Sequence, residues 1–342
     1  MKNQKIKLAI VSTTIRGDVG YRDWDREVNK FNKFDASFFI AGDKNSIKFD
    51  DSGFLCPLIY LSPKEQNKYS CSTHIGWRKW ARRNIALLEA LKTNPDYVLI
   101  IDDDNRPLKN YFNKWHKLIT KGSEKQLNIK SKWFNYLDSG DSESTFFPRG
   151  YPISERDKNE KIATKNVKTL AKNILLFQGI SYGDPDIDAF ARIADPRALP
   201  LKKVSKLNYV VKDNWSPYNT QNTLFKKELA PLAFTWPYSG RYEDIYSSYV
   251  WQHFIFNQNK FVHVGDSVNF QERGLRDNFT DFKLEHEGYL YAEEIWKEIC
   301  KTDPSSIETI IKDLAKSKNF VIKREKKFFI SFLNDLKKIN AI

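Results

Sequence analysis

The stretch YVLII, Tyr97 to Ile101, is five consecutive apolar residues without a polar break, closed at once by Asp102, Asp103 and Asp104. A half-exposed strand alternates apolar and polar residues, whereas a short unbroken run reads as a strand buried on both faces. Such a strand needs a covering layer on each side, which points to a sheet between helices. IKLAIVSTT (Ile6 to Thr14) reads as another buried strand, ending in small hydroxyl residues, and DASFFIAGD (Asp35 to Asp43) repeats the pattern of strand then polar turn.

Apolar residues at Trp77, Trp80, Ala81, Ile85, Leu88 and Leu91 predict an amphipathic helix over His74 to Lys92, carrying Arg78, Lys79, Arg82 and Arg83. KTNPD ends it and YVLII follows, giving the strand, helix, strand alternation of a parallel α/β sheet. Ligands of such sheets bind beyond the carboxyl ends of the strands, where the three aspartates fall.

NILLFQGIS and LNYVV read as further strands around GDPDIDAFARIADP, and Arg241 to Gln258 has helical periodicity. Lys301 to Ile342 reads as two amphipathic helices with ten Lys and Arg against five Asp and Glu. The expected division is a large α/β domain over residues 1–295 and a basic helical extension over 296–342.

Three carboxylates at one strand end cannot all stay ionised and unpaired unless a divalent cation or a cluster of Arg and Lys stands nearby. Oxygen ligands suit Mg²⁺ or Mn²⁺, and such ions take one or two carboxylates and complete their shell with water and phosphate oxygens. A solvated acidic turn explains an isolated triple Asp equally well. No P-loop, no GxGxxG after the first strand and no HExxH competes with it, and five scattered histidines suggest no ligand set.

The net charge of +13 favours an anionic partner: a nucleotide, a nucleic acid or a membrane surface. No apolar run approaches the roughly 20 residues that cross a bilayer. No leader is recognisable and three dispersed cysteines suggest no disulfide framework, so a soluble, cytoplasmic protein is expected.

The stretches RRNIALLEALKTNPDYVLIIDDDN, FPRGYPI, QGISYGDPDIDAFARI, SPYNTQNTLF and RYEDIYSSYVWQ together resemble, in order, the STELLO family of glycosyltransferases. Through TTIRG, IDDDN, FPRGYPISER and GRYEDIYSSYV the chain is also similar to the reversibly glycosylated polypeptides, the UDP-arabinopyranose mutases. The resemblance implies a GT-A fold, Rossmann-like with a mostly parallel central sheet flanked by helices. It also implies a nucleotide sugar, UDP-linked, whose diphosphate is bridged by Mn²⁺ or Mg²⁺ at a strand-end DxD motif.

Carried over residue by residue, the resemblance makes Asp102 and Asp104 the metal ligands, with Asp103 facing the ribose. Thr14, Arg16 and Asp43 would read the nucleobase and ribose, Thr14 being equally a turn cap. Arg82 and Arg83 precede the metal strand, one for the diphosphate and one on a solvated face. Asp184, Asp186 and Asp188 either bind sugar hydroxyls or cap a helix. Glu243 and Asp244 resemble the acidic pair beside the reacting sugar, with Asp244 the acid-base, unless they only complement a helix terminus. Arg149 and Arg156 come from RGYPISER, and Arg156 matches the reversibly glycosylated arginine of the mutase branch or acts as a phosphate clamp.

Two departures matter. Asn105 stands where the mutase branch has Cys, and RGLRDN replaces a late Arg-x-x-His-Asn stretch, leaving Arg273 as its matching residue. Three functions follow from these residues: a transferase moving sugar to a hydroxyl of an anionic or polymeric acceptor, a UDP-sugar mutase with Arg156 as carrier, and a non-catalytic scaffold of polysaccharide synthesis. The acceptor would be a cell-surface glycan, a lipid-linked glycan met by peripheral membrane contact, or a hydroxylated base of DNA.

Overall fold

The computed structural model describes residues 5–139, 146–195, 208–265, 269–271 and 277–342. Its centre is a ten-stranded sheet. Strands β1 (Ile6–Thr14), β2 (Phe34–Gly42), β3 (Leu58–Leu61) and β4 (Tyr97–Ile101) lie in the order β3-β2-β1-β4, all parallel. The chain continues through β5 (Asn105–Pro107), β6 (Ser123–Leu127), β7 (Thr164–Thr169), β8 (Ile174–Gln178) and β9 (Ser181–Gly183). Then come β10 (Tyr209–Val211), β11 (Asn222–Lys226), β12 (Phe261–Val264) and β13 (Asn269–Gln271).

Beyond β4 the large sheet runs β11-β8-β12-β10-β6-β7, and β11 is antiparallel to both its neighbours. The sheet is therefore parallel in its N-terminal half and mixed in the other, with five of its nine strand pairs parallel. A small second sheet, β5-β13-β9, stands beside the end of β4.

The unbroken apolar strands are buried on both sides, as their composition requires. Ala9, Val11, Val98 and Ile100 face one core, whereas Leu8, Ile10, Leu99 and Ile101 face the other. Helices α1 (Arg22–Phe31) and α3 (Tyr111–Lys121) cover the second face through Trp24, Phe112 and Trp115. Helices α2 (Arg83–Leu91) and α5 (Glu243–Asn257) cover the first, and short α4 (Ala189–Ala194) packs against long α6 (Asn278–Ile299).

The helix expected from His74 starts only at Trp80 as a 3₁₀ turn and becomes α-helical at Arg83. Gly76 at φ +78° and Arg78 at φ 58° are left-handed, which a continuing right-handed helix does not accommodate. The break carries Arg78, Lys79 and Trp80 away from the helix, to the rim of the site described below.

The C-terminal segment forms α7 (Ile307–Lys316), α8 (Phe320–Arg324) and α9 (Lys326–Lys338), three helices rather than two. The expected boundary after residue 295 falls inside α6, and the tail shares the core of the first face. Phe328, Phe329 and Phe332 are fully buried against Phe234 and Trp236. Asp335 accepts from the backbone amides of Ser70 and Cys71 at 3.0 and 2.8 Å, pinning α9 to the segment before α2. Among the described residues no helix is long and apolar enough to cross a membrane.

Candidate active site

From β1 the chain turns through α1 to β2 on one side, while β4, reached through α2, pairs on the other. Their diverging connections leave a crevice at the carboxyl ends of β1 and β4, the switch point where open α/β sheets bind ligands. Ser12 Oγ donates to the Ile101 carbonyl at 2.8 Å, and Thr14 Oγ1 donates to Asp103 Oδ2 at 2.7 Å, tying the two strand ends together.

The three aspartates form a turn closed by Asn105 N donating to the Asp102 carbonyl at 3.2 Å. Asn105 is fully buried: its Nδ2 donates to the Gln221 carbonyl at 2.7 Å and its own carbonyl accepts from Trp24 Nε1 at 2.8 Å. It anchors the turn, and its buried Oδ1 faces no donor in the structure. Gly20 lies against this turn so closely that a Cβ there would come 2.3 Å from the Asp103 carbonyl oxygen.

A cavity of about 780 Å³ opens over the turn. Its wall carries eight carboxylates, Asp43, Asp102, Asp103, Asp104, Asp186, Glu243, Asp244 and Asp281, and six cations, Arg16, Arg78, Lys79, Arg83, Arg149 and Arg241. Three of the arginines each span two carboxylates. Arg83 Nη1 donates to Asp102 at 3.1 Å and its Nη2 lies 4.0 Å from Glu243. Arg149 makes a fork on Asp186 at 2.8 and 3.2 Å and reaches Asp244 at 3.4 Å. Arg241 donates to Glu285 at 2.7 Å and lies 3.3 Å from Asp281 on α6.

Burial pushes the Asp102 carboxyl up to about 7, Arg83 opposing and Asp104, Asp244 and Asp103 adding to the rise. Burial likewise pushes Glu243 up to about 8, with Arg83 opposing and Asp244 adding. Burial acts against the charge on Arg149, yet Asp186 and Asp244 hold its guanidinium well above its ordinary value. Asp244 is gripped at both oxygens, because Oδ2 also accepts from Thr220 N and Oγ1 at 3.2 and 3.3 Å.

An oxygen-rich wall with surplus negative charge and raised carboxyl values fits a hard divalent cation. The Gln271 amide nitrogen lies 3.5 Å from both Asp104 oxygens, and its buried Oε1 faces no donor in the structure. Among the described residues no three His, Cys, Asp or Glu side chains form a metal cage. An ion here would thus take one or two carboxylates and find its other ligands in water and substrate, as magnesium-type sites do.

The expected site residues divide clearly. Thr14, Arg16, Asp43, Arg83, the three turn aspartates, Arg149, Asp186, Glu243 and Asp244 all line the cavity. Asp43 is committed to backbone: its two oxygens accept from Lys44 N and Arg78 N, both at 2.6 Å, so it shapes the rim. Thr14 Oγ1 also accepts from Arg16 N at 2.9 Å, the turn-capping role weighed for it.

Arg82 is neither on the cavity nor solvated. It is fully buried, donates to Gln66 and Ser72 and stacks 4.1 Å over Trp77. Arg156 does not line the cavity either: it pairs with Asp188 and lies 5.1 Å over Phe147. Asp188 caps α4 through Ala191 N at 2.7 Å, and Asp184 pairs with Arg192, so of these three aspartates Asp186 alone lines the cavity. Arg273 lies outside the described residues.

Arg241, although it heads the RYED stretch, Gln271 and Asp281 line the cavity without a sequence signal of their own, and Trp80, expected on the apolar face of a helix, is 52% exposed on its wall. Arg78 and Lys79 were placed on a helix face, where a solvated role is the ordinary one.

No protein-family model matches the chain, and no curated protein matches it. Solved structures to which it is similar include glucosyl-3-phosphoglycerate synthase from Mycobacterium tuberculosis with Mn²⁺, UDP-glucose and phosphoglyceric acid, at 10% identity, TM-score 0.46, covering 86% of this chain and 80% of that one. The same enzyme with Mn²⁺ and UDP-glucose overlaps at 9% identity and TM-score 0.39, covering 91% of this chain and 79% of that one. At such values the overlap supplies no residue correspondence.

Proposed function

We propose that the chain is a metal-dependent glycosyltransferase that takes a nucleotide sugar, UDP-linked, and moves its sugar to a hydroxyl of an anionic acceptor. The observation that carries the reading is the aspartate turn at the β1/β4 switch point, facing the acidic first turn of α5 across one cavity.

In this reading Asp102 and Asp104 hold the Mn²⁺ or Mg²⁺, and Asp103, fixed by Thr14, faces the ribose. The ion supplies Lewis-acid neutralisation of the leaving diphosphate. Arg16, its side chain 52% exposed and 4.0 Å from Asp103, closes on the nucleotide from the rim. Arg83 orients Asp102 and stands between it and Glu243.

Asp244 was the expected acid-base residue, but both its oxygens are already held by Arg149 and Thr220. We assign proton transfer from the acceptor hydroxyl to Glu243, which lines the cavity with Arg83 4.0 Å away and whose carboxyl is held above its ordinary value by burial, and charge stabilisation at the reacting sugar to Asp244. The mutase reading needs Arg156 beside the sugar, and the Asp188 pair holds it off the cavity wall. Calorimetric titration with UDP tests the donor site: binding that requires Mn²⁺ and disappears in Asp102→Asn/Asp104→Asn is expected, and metal-independent binding would remove the basis of the reading.

A further inference from the structure

Three loops form one lip of the cavity: residues 15–17 after β1, 43–48 after β2 and 76–80 before α2. They are joined by direct contacts. Ile47 N donates to the Ile15 carbonyl at 3.0 Å, Arg78 N donates to Asp43, and the Asn45 side-chain amide stands 2.9 Å from the Arg78 guanidinium. Lys44 Nζ lies 4.9 Å over the Trp77 ring.

Two properties coincide on this lip. Ile15, Ile47 and Trp80 are 56, 65 and 52% exposed, although each is a large apolar side chain. Between them stand Arg16, Lys44, Lys48, Arg78 and Lys79; Arg16 lies 4.0 Å from Asp103, Asp50 acts on Lys48 from just past the second loop, and Asp43 is buried with both oxygens on backbone amides. The other cavity arginines, Arg83, Arg149 and Arg241, are each engaged by two carboxylates. Lys44, Arg78 and Lys79 form no ion pair among the described residues, so positive charge is concentrated on the side of the cavity that also exposes apolar surface.

We infer that this lip is a docking surface for an anionic lipid bilayer, seating the cavity mouth at the headgroup level. Cations alone would suit any polyanion. Exposed isoleucines gain nothing from a phosphodiester backbone but do gain from the hydrocarbon edge of a bilayer, and Trp prefers the interface between the two. Ile47, Lys44 and Lys48 lie on the outer side of the lip and do not line the cavity, so they serve docking without serving the nucleotide. Resting on the transferase reading, the same seating makes a lipid-linked hydroxyl the acceptor class that reaches Glu243.

The test is co-sedimentation of the whole chain with vesicles of phosphatidylcholine, with and without phosphatidylglycerol, across a salt series. Binding to the anionic vesicles that weakens with salt is expected. Each lysine near such a surface contributes about five-fold, so Lys44→Ser/Lys48→Ser should lower partitioning about 25-fold. Ile47→Ser should lower it while leaving the salt slope unchanged. A thermal melt of each variant reports folding, and brominated-lipid quenching of the wild type against Trp80→Phe reports insertion without relying on the loop variants. Equal binding to neutral vesicles, no binding, no Trp80-dependent quenching, or preference for duplex DNA over anionic vesicles at equal phosphate would overturn the inference. Vesicle binding is read without turnover, so its failure leaves the transferase reading standing.

Discussion

Glu325, at the junction of α8 and α9, is fully buried and accepts through Oε1 from Tyr238 N at 2.8 Å and Ser239 Oγ at 3.0 Å. Its Oε2 faces no donor in the structure, and burial pushes the carboxyl from 4.5 up to about 8, the two hydrogen bonds and Arg324 and Lys79 opposing. Below the unfolded value both states hold the proton and Glu325 contributes no pH dependence. As pH rises from there towards 8, the unfolded chain releases a proton that the folded chain keeps, and the folded state loses about 1.4 kcal/mol per pH unit. The loss levels off above pH 8 at about 5 kcal/mol. Glu325→Gln keeps the Oε1 acceptor and removes the ionisation. Urea unfolding should therefore find the variant close to wild type at about pH 4.5 and more stable than wild type by about 3–5 kcal/mol at about pH 9. The same difference at both pH values, or a variant less stable at the higher one, would refute the reasoning.

Other outcomes follow from the site. Arg149→Met leaves Asp186 and Asp244 buried without their cation and should cost about 3–5 kcal/mol by chemical unfolding, while Asp186→Asn in the same chain should recover part of it. Protons compete with metal at Asp102, so Mn²⁺ affinity by calorimetry should rise up to about tenfold per pH unit towards 7 and flatten above it. Gly20→Ala should displace the aspartate turn and lower Mn²⁺ affinity by calorimetry at least about tenfold, because the clash is with the Asp103 carbonyl. Arg156→Gln should retain transferase turnover, whereas a mutase would lose its carrier.

The strands that could be read were those whose sequence carries their environment. β1 and β4 are apolar enough to declare two buried faces, and β1 runs over the residues expected for it. β5, β9 and β13 are three residues each and acquire their form from pairing across long sequence distances, a relation that local composition does not encode. The same holds for β11, which enters the middle of the sheet antiparallel to both neighbours.

Within the site, type and spacing located the aspartate turn but could not orient adjacent residues. Arg82 and Arg83 are neighbours, yet the turn into α2 sends one to Gln66 and the other to Asp102. The apolar spacing of Trp77 to Leu91 hid the left-handed pair Gly76 and Arg78, and with it the basic lip. Likewise, that Arg149 would hold Asp244 depends on two segments 95 residues apart.

The most direct measurement is sugar transfer itself: UDP release from a panel of UDP-sugars, with Mn²⁺ and a hydroxyl-bearing lipid-linked or anionic glycan acceptor, scored together with the product by mass spectrometry. Release that is abolished by chelation and by Asp102→Asn/Asp104→Asn, with the sugar recovered on the acceptor, is predicted. Turnover unchanged by both aspartate substitutions would contradict the account.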